Sequence, residues 1–299
     1  MADTTVTDAF TDRIPKRANP MVQFIKAQPL GFAGLLIVLL YFVFAFGAPW
    51  ISPHHPEAVD FGAMLTAPSP DHIFGTDQYG RDVFSRLVYG SRTALGVGIL
   101  SALFGCTIGA IIGATSGYFG GWIDDAIQRV VDIMLSFPII VLAMVVVAVL
   151  GRNQLFGIDL NLIAAIALPM VPRMARIARS STLSIAQMPF IDAARAAGYS
   201  HARIVLRHIL PNIIAPYLIM TTAFIAQAIL LEASLSFLGL GVTEPTPAWG
   251  LMLSGSSADF YQAAPWMILF PGLAITLAVF AFNLLGDSLR DWLDPKMKV

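Results

Sequence analysis

Long runs of apolar residues, broken by short clusters of charge, set the pattern of this chain. The first uncharged run lies between Lys26 and His54, and its apolar part covers Leu30–Ile51. A helix crosses a bilayer's hydrocarbon core with about 20 apolar residues, and several runs exceed that length. The pattern predicts six membrane-spanning helices: Leu30–Ile51, one within Thr93–Ile123, then Ala126–Leu150, Leu160–Ile177, Ile213–Leu238 and Trp266–Gly286. The first run is too long for the apolar region of a signal peptide and is read as a retained helix. In the second, Gly105, Gly109 and Gly113 recur every four residues. Small residues aligned on one helix face let two backbones approach closely in lipid.

Composition agrees. Of 299 residues, 57% are hydrophobic and 12% charged, against about 25% charged in a typical soluble domain. Mean hydropathy is +0.72. A net charge of −1 offers no bulk basic surface for nucleic acid. The single cysteine, Cys106, sits in an apolar run and has no partner for an intrachain disulfide. Six spans put both termini on one side of the membrane. With the N-terminus cytoplasmic, the inner segments hold 14 of the 18 Lys and Arg residues, and the outer ones hold Arg81, Arg86, Arg92 and Arg152. Such an excess marks the cytoplasmic side, so both termini are assigned there.

Two connections are too long to be simple turns. Ser52–Gly90 is placed outside, and its first part is punctuated by Pro53, Pro56, Pro68 and Pro70. Ser180–Asn212 is placed inside and reads as two short helices with a joint. Pro189 suits a first helical turn, where its missing N–H has no partner to lose. Asp192, Ala193, Ala194, Arg195, Ala196 and Ala197 continue with strong helix formers. Gly198 stops the helix at a position that needs left-handed backbone, and Ser200 can cap the next. Ala202, Val205, Leu206 and Ile209 then share one face, with Arg203 and Arg207 on the other and Pro211 closing the segment. From these residues alone, an amphipathic segment lying on lipid is an equal reading. Outside, Gly241–Pro265 is short enough to fold back into the outer mouth.

The run Asp192-Ala-Ala-Arg-Ala-Ala-Gly198, followed by Ile209-Leu210-Pro211-Asn212, resembles the "EAA" loop of bacterial binding-protein-dependent ABC importer permeases. The leading Glu of that motif is Asp192 here, and an apolar position is His208. Three further stretches resemble the second, C-type permease of the dipeptide, oligopeptide and nickel branch. They are Phe74-Gly-Thr-Asp-Gln-Tyr-Gly-Arg-Asp-Val-Phe-Ser-Arg86, Leu235-Ser-Phe-Leu-Gly-Leu-Gly241 and Asn283-Leu-Leu-Gly-Asp-Ser-Leu-Arg-Asp-Trp-Leu-Asp-Pro295. The resemblance covers the chain from about Leu30 onward. It implies an all-α integral membrane fold in the bacterial cytoplasmic (inner) membrane, with one N-terminal helix ahead of a five-helix permease core.

The implied layout is a cytoplasmic tail (1–29), a first transmembrane helix (30–51), a periplasmic loop (52–90), a core (91–290) with a coupling loop (180–212), and a cytoplasmic tail (291–299). The implied role is non-catalytic: with a second permease the chain forms a heterodimer and the solute pathway. Two ATP-binding subunits hydrolyse ATP with Mg, and a periplasmic solute-binding protein delivers the solute. The implied ATPase-coupling residues are Asp192, Ala193, Ala194, Ala197, Gly198, Arg203, Arg207 and Pro211. No cofactor or metal is expected on the chain itself.

The residues test that reading independently. A phosphate-binding P-loop needs a lysine, and the only lysines are Lys16, Lys26, Lys296 and Lys298, all in the tails. The alternative is a secondary transporter working without ATPases. Such proteins show internal repeats and midplane ionisable groups, and here no clear repeat is visible and Glu232 is the one candidate. An intramembrane enzyme lacks any H-E-x-x-H or nucleophile–base arrangement. Glu232 either touches solute or holds helices together through hydrogen bonds, the second being favoured. Arg173, Arg176 and Arg179 read as anchors reaching the interface. Asp77, Arg81 and Asp82 either build the fold or meet a soluble partner, the first being favoured, and Asp287, Arg290 and Asp291 are expected to pair at the cytoplasmic surface near the inner gate. His54 and His55 suit nickel chemically, but an adjacent pair beside prolines in a solvated loop reads as incidental. Peptides lead among the solutes, with opines, glutathione-like compounds and nickel behind them.

Overall fold

The computed structural model describes residues 28–151, 153–155, 158–255 and 259–293, and their regular secondary structure is almost wholly helical. Helix α1 is Pro29–Ile51, with proline in its first turn. Helix α2 (Val83–Phe119) begins with Asp82, whose side chain accepts the Ser85 N–H at 2.8 Å. After Gly120 come α3 (Gly121–Ser136) and α4 (Ile139–Leu150). A two-residue antiparallel ribbon (Gln154–Leu155 with Ile158–Asp159) leads into α5 (Leu160–Ala167) and α6 (Met170–Ala186). Short α7 (Pro189–Ala196) precedes α8 (His201–Ile204), then one π turn, one 3-10 turn and α9 (Ile214–Phe237). Helices α10 (Trp249–Met252) and α11 (Trp266–Leu293) complete the order.

Four helical stretches are long and apolar enough to cross a membrane: α1, α2, His201–Phe237 and α11. Two bent pairs raise the number to as many as six if each is one span. The pair α3–α4 turns through 95° and α5–α6 through 45°. Both breaks sit at proline: Phe137 before Pro138 is extended, and Pro169 follows Leu168. Proline cannot donate the helical bond and disfavours helical backbone before it, so the third expected span is angled rather than straight.

Other boundaries move as well. The second helix starts at Val83, ten residues before the expected Thr93, because Asp82 caps it there. The fourth expected span persists to Ala186, which shortens the inner loop. Pro211 does not end the inner motif: helical backbone runs on through it into α9. In the π turn ahead of it the Leu210 N–H bonds the Val205 carbonyl. That wider turn rotates the register, so Ile204, Val205 and Ile209 are buried while Ala202 and Leu206 are exposed, unlike the face expected from a regular helix.

Helix α2 is the axis of the bundle. Its glycines lie along the end of α5 and along α6 at such short range that a Cβ on Gly105 would come 2.8 Å from the Ala167 carbonyl oxygen. A Cβ on Gly109 would come 2.5 Å from that of Val171, and one on Gly117 would come 2.9 Å from that of Arg179. Gly113 faces the Ala175 backbone. The small-residue row seen in the sequence is therefore a backbone-to-backbone seam, one glycine longer than expected. Helix α1 packs on α11 in the same manner, Gly34 against the Ala281 carbonyl, and Tyr41 donates to the Ala274 carbonyl at 2.9 Å.

The two connections that the sequence assigns to the outer side fold back as a cap. Trp249 is buried and donates to the Leu87 carbonyl at 2.9 Å, and Trp266 donates to the Thr76 carbonyl at 3.0 Å. Asp77 accepts the Arg81 Nε–H at 2.7 Å, and Arg81 reaches Glu244 with an Nη1–Oε2 distance of 2.5 Å. Arg86, fully buried, donates to the carbonyls of Pro56 and Pro245 at 3.2 Å and to Glu244. Asp77, Arg81, Arg86, Glu244, Met252 and Ser254 line a cavity of about 240 Å³ there.

Burial alone would raise the Glu244 carboxyl, but the hydrogen bond from Arg81 and the charges of Arg86 and Arg81 outweigh it and hold it below its ordinary value. A depressed carboxylate contributes stability that is complete above its unfolded value, about 4.3 for Glu, and is lost as pH falls through the folded value. Glu244→Gln should therefore lower the melting midpoint of the purified protein at pH 7, by a loss of roughly 1–3 kcal/mol. This is less than a fully buried pair would give, because the Glu244 side chain is 44% exposed. The wild-type midpoint should converge on the variant's as pH drops below 4. Equal midpoints at pH 7 would show that the clamp carries no stability.

Candidate coupling site

The inner loop hangs from α6 and is held by the inner end of α2. Pro189 occupies the first turn of α7, as its missing N–H allows. The end of α7 is a Schellman motif: Gly198 N–H bonds the Arg195 carbonyl at 3.0 Å and Tyr199 N–H bonds that of Ala194 at 3.1 Å. Gly198 has φ +75°, which glycine adopts without the penalty a side chain brings. Nothing lies within 4 Å of where its Cβ would stand, so the demand there is conformational rather than one of space. Ser200 then caps α8, accepting the Arg203 N–H at 3.4 Å.

Of the residues implied by resemblance, Asp192, Ala193, Ala197, Gly198, Arg203, Arg207 and Pro211 are exposed on this loop. Ala194 is not: with Ile191 it is buried beneath α7 and packs the loop. Asp192 pairs with Arg195 at 3.2 Å, one helical turn on. The guanidinium of Arg195 lies 5.4 Å from the Tyr118 ring centre, and the Tyr118 hydroxyl is 2.8 Å from His201 Nδ1. Arg203 stacks on Tyr199 at 4.0 Å. Tyr118 and His201, which sequence reasoning did not single out, thus tie both arms to α2. They are 83 positions apart, and no local pattern announces the contact.

The three arginines of α6 are partnered rather than simple interfacial anchors. Arg179 Nε donates to Asp124 Oδ1 at 2.6 Å, Arg176 pairs with Asp132, and Arg173 donates to Gln227 at 3.1 Å. Asp124 also accepts from Ser116, so α2, α3 and α6 meet in one polar group. Asp287, Arg290 and Asp291 form no ion pair among the described residues; Asp291 accepts from Gln28 at 3.2 Å.

Glu232 is buried in α9 and accepts from Ser236 Oγ at 2.7 Å, one turn on in the same helix. Ser236 Oγ in turn accepts the Val242 N–H at 3.1 Å. The carboxyl group therefore braces the outer end of α9 and the turn beyond it. The bridge to a neighbouring helix expected from sequence is replaced by this local one.

Comparisons with known proteins fit this architecture. The family described as "Binding-protein-dependent transport system inner membrane component" matches residues 105–299, and "N-terminal TM domain of oligopeptide transport permease C" matches residues 21–68. The chain is 44% identical over 274 residues to the dipeptide transport system permease protein DppC of Alkalihalophilus pseudofirmus, covering 92% of this chain and 88% of that relative. It is also 44% identical over 274 residues to the glutathione transport system permease protein GsiD of Escherichia coli O6:K15:H31, covering 91% and 88%. Its fold is similar to a solved structure of the inward-facing MetNI methionine ABC transporter, with TM-score 0.53 and 20% identity over 71% of this chain and 97% of that one. The chain belongs to the family of inner membrane components of binding-protein-dependent transport systems, and is a multi-pass permease subunit of an ATP-driven importer.

Proposed function

We propose that this permease carries peptides or related small solutes, and that its Ser180–Asn212 loop is the contact through which ATP hydrolysis in two partner ATPases drives it. A second permease completes the pathway, and a periplasmic binding protein delivers the solute. The observation that carries the coupling role is the joint at Gly198: two exposed arms meet at a left-handed glycine, and both are fastened to α2 through Tyr118. Peptides are favoured because the relatives are named for dipeptide and glutathione transport. The site itself does not choose between these solutes. Cofactor chemistry, ATP with Mg, belongs to the partners, since no P-loop exists in this sequence.

In this reading α3–α4 and α5–α6 each count as one bent span, which gives six spans with both termini in the cytoplasm. The 14-to-4 distribution of positive residues supports it. Single cysteines at Ser69 and Ser200, in a Cys106→Ala background, should be labelled from outside and only after permeabilisation, respectively. The opposite labelling pattern would invert the topology and with it the assignment of the coupling loop.

Gly198→Ala tests the coupling role with little else changed. The methyl group has room, so the whole cost is the left-handed backbone, on the order of 1–2 kcal/mol at the joint. Reconstituted importer carrying this variant should keep normal amounts of protein in the membrane. It should lose most solute uptake while ATP hydrolysis becomes uncoupled or the ATPases dissociate. Wild-type uptake would sink the coupling role.

A further inference from the structure

We propose that His54, His72 and Asp82 form a binding site for one divalent transition-metal ion of the zinc class on the outer face of the protein. The sequence showed His54 beside His55, an uninformative pair; folding instead sets His54 against His72, with ring centres 4.7 Å apart. The three residues come from three segments: just past the end of α1, the middle of the outer loop, and the N-cap of α2. Their ligand atoms all lie within 4.8 Å of one another.

The surroundings of Asp82 favour a cation. The Asp82 side chain is fully buried. One of its oxygens accepts from the Ser85 N–H, and the other faces His72 Nδ1 at 3.0 Å. Asp77 and Glu244, two other acids of the cap, are matched by arginines, whereas no arginine or lysine pairs with Asp82 among the described residues. The His72 ring gives that carboxylate one hydrogen bond, and a buried carboxylate with no arginine or lysine beside it is costly. A divalent ion would supply the charge and displace the proton shared by His72 and Asp82.

Geometry and ligand type agree. Zinc bonds of about 2.0–2.2 Å place neighbouring ligand atoms of a tetrahedron roughly 3.4 Å apart. The His72–Asp82 pair is already near that spacing, and exposed His54 has the freedom to close the remainder. The second nitrogen of the ring has a partner as well, since His54 Nε2 lies 2.9 Å from the Asp71 carbonyl oxygen, the kind of outer contact a ligating histidine makes. Two imidazoles with one carboxylate suit zinc, nickel or copper, and not magnesium or calcium, which take oxygen. Water would fill the remaining position, because the exposed side at His54 opens to solvent. An ion there would pin the end of α1 to the start of α2.

The test uses the full-length chain purified in detergent, with any importer subunits that accompany it, stripped with EDTA and dialysed against micromolar zinc chloride. Elemental analysis should find one more zinc per chain in the wild type than in His54→Ala/His72→Ala. Either single variant should weaken zinc binding by about tenfold or more. Zinc, but not magnesium, should raise the wild-type melting midpoint and leave that of the double variant unchanged. If the double variant aggregates, His54→Ala alone makes the same comparison, since that side chain is exposed. Equal zinc content and equal melting response in wild type and variant would reduce the three residues to a hydrogen-bonded network and overturn the proposal.

Discussion

Helices in lipid gain little from hiding apolar surface from one another, since lipid tails are as apolar as their own side chains. They must be held by contact at close range, and in this protein the most extensive such contact is the seam of α2 against α6 and the end of α5. Gly105, Gly109, Gly113 and Gly117 present bare backbone to Ala167, Val171, Ala175 and Arg179. Both sides advance by four residues, so α2 stays in close contact over several turns, first with the end of α5 and then with α6. No larger residue fits without pushing the helices apart, and the loss of many small dispersion contacts would follow.

Other parts of the structure inherit their places from that seam. Helix α2 carries the outer cap at its first residues, where Asp82 and Arg86 are buried among the outer loop. At its inner end, Tyr118 holds His201 and Arg195 of the inner loop. Helix α6 leads directly into that loop after Ala186. The polar group of Ser116, Asp124 and Arg179 closes the seam at the inner end, where three helices meet. Helix α2 therefore makes contacts at both ends of the bundle.

Much of this was readable in the sequence because the signals are local. Gly198 after a run of alanines marks a left-handed helix end, Pro189 a first turn, Ser200 a cap, and glycines every fourth residue a packing face. Hydropathy located each apolar stretch but was blind to direction: Pro138 and Pro169 lie inside continuous apolar runs, and only their backbone chemistry reveals the bends. The π turn before Pro211 escaped because a regular 3.6-residue period was assumed where the proline forces a wider one. Contacts between distant segments left no trace in the pattern. Glu244 meets Arg81 across 163 positions, and His54 meets His72 only once the outer loop has folded. Glu232 was visible as a buried acid, but its partner on the same helix, one turn away, was overlooked in favour of a neighbour.

The dependence on close packing is tested most directly by thermal melting of the purified protein carrying Gly113→Ala, beside Gly272→Ala. Replacing a helical glycine with alanine ordinarily stabilises by roughly 0.5–1 kcal/mol. At Gly272, in α11, the added methyl meets nothing within 4 Å, so the midpoint should hold or rise. At Gly113 the same methyl would strike the Ala175 backbone, so the midpoint should fall by at least a few degrees despite the better helix propensity. Equal midpoint shifts at the two positions would contradict the account, because the seam would then not be the contact that holds the bundle.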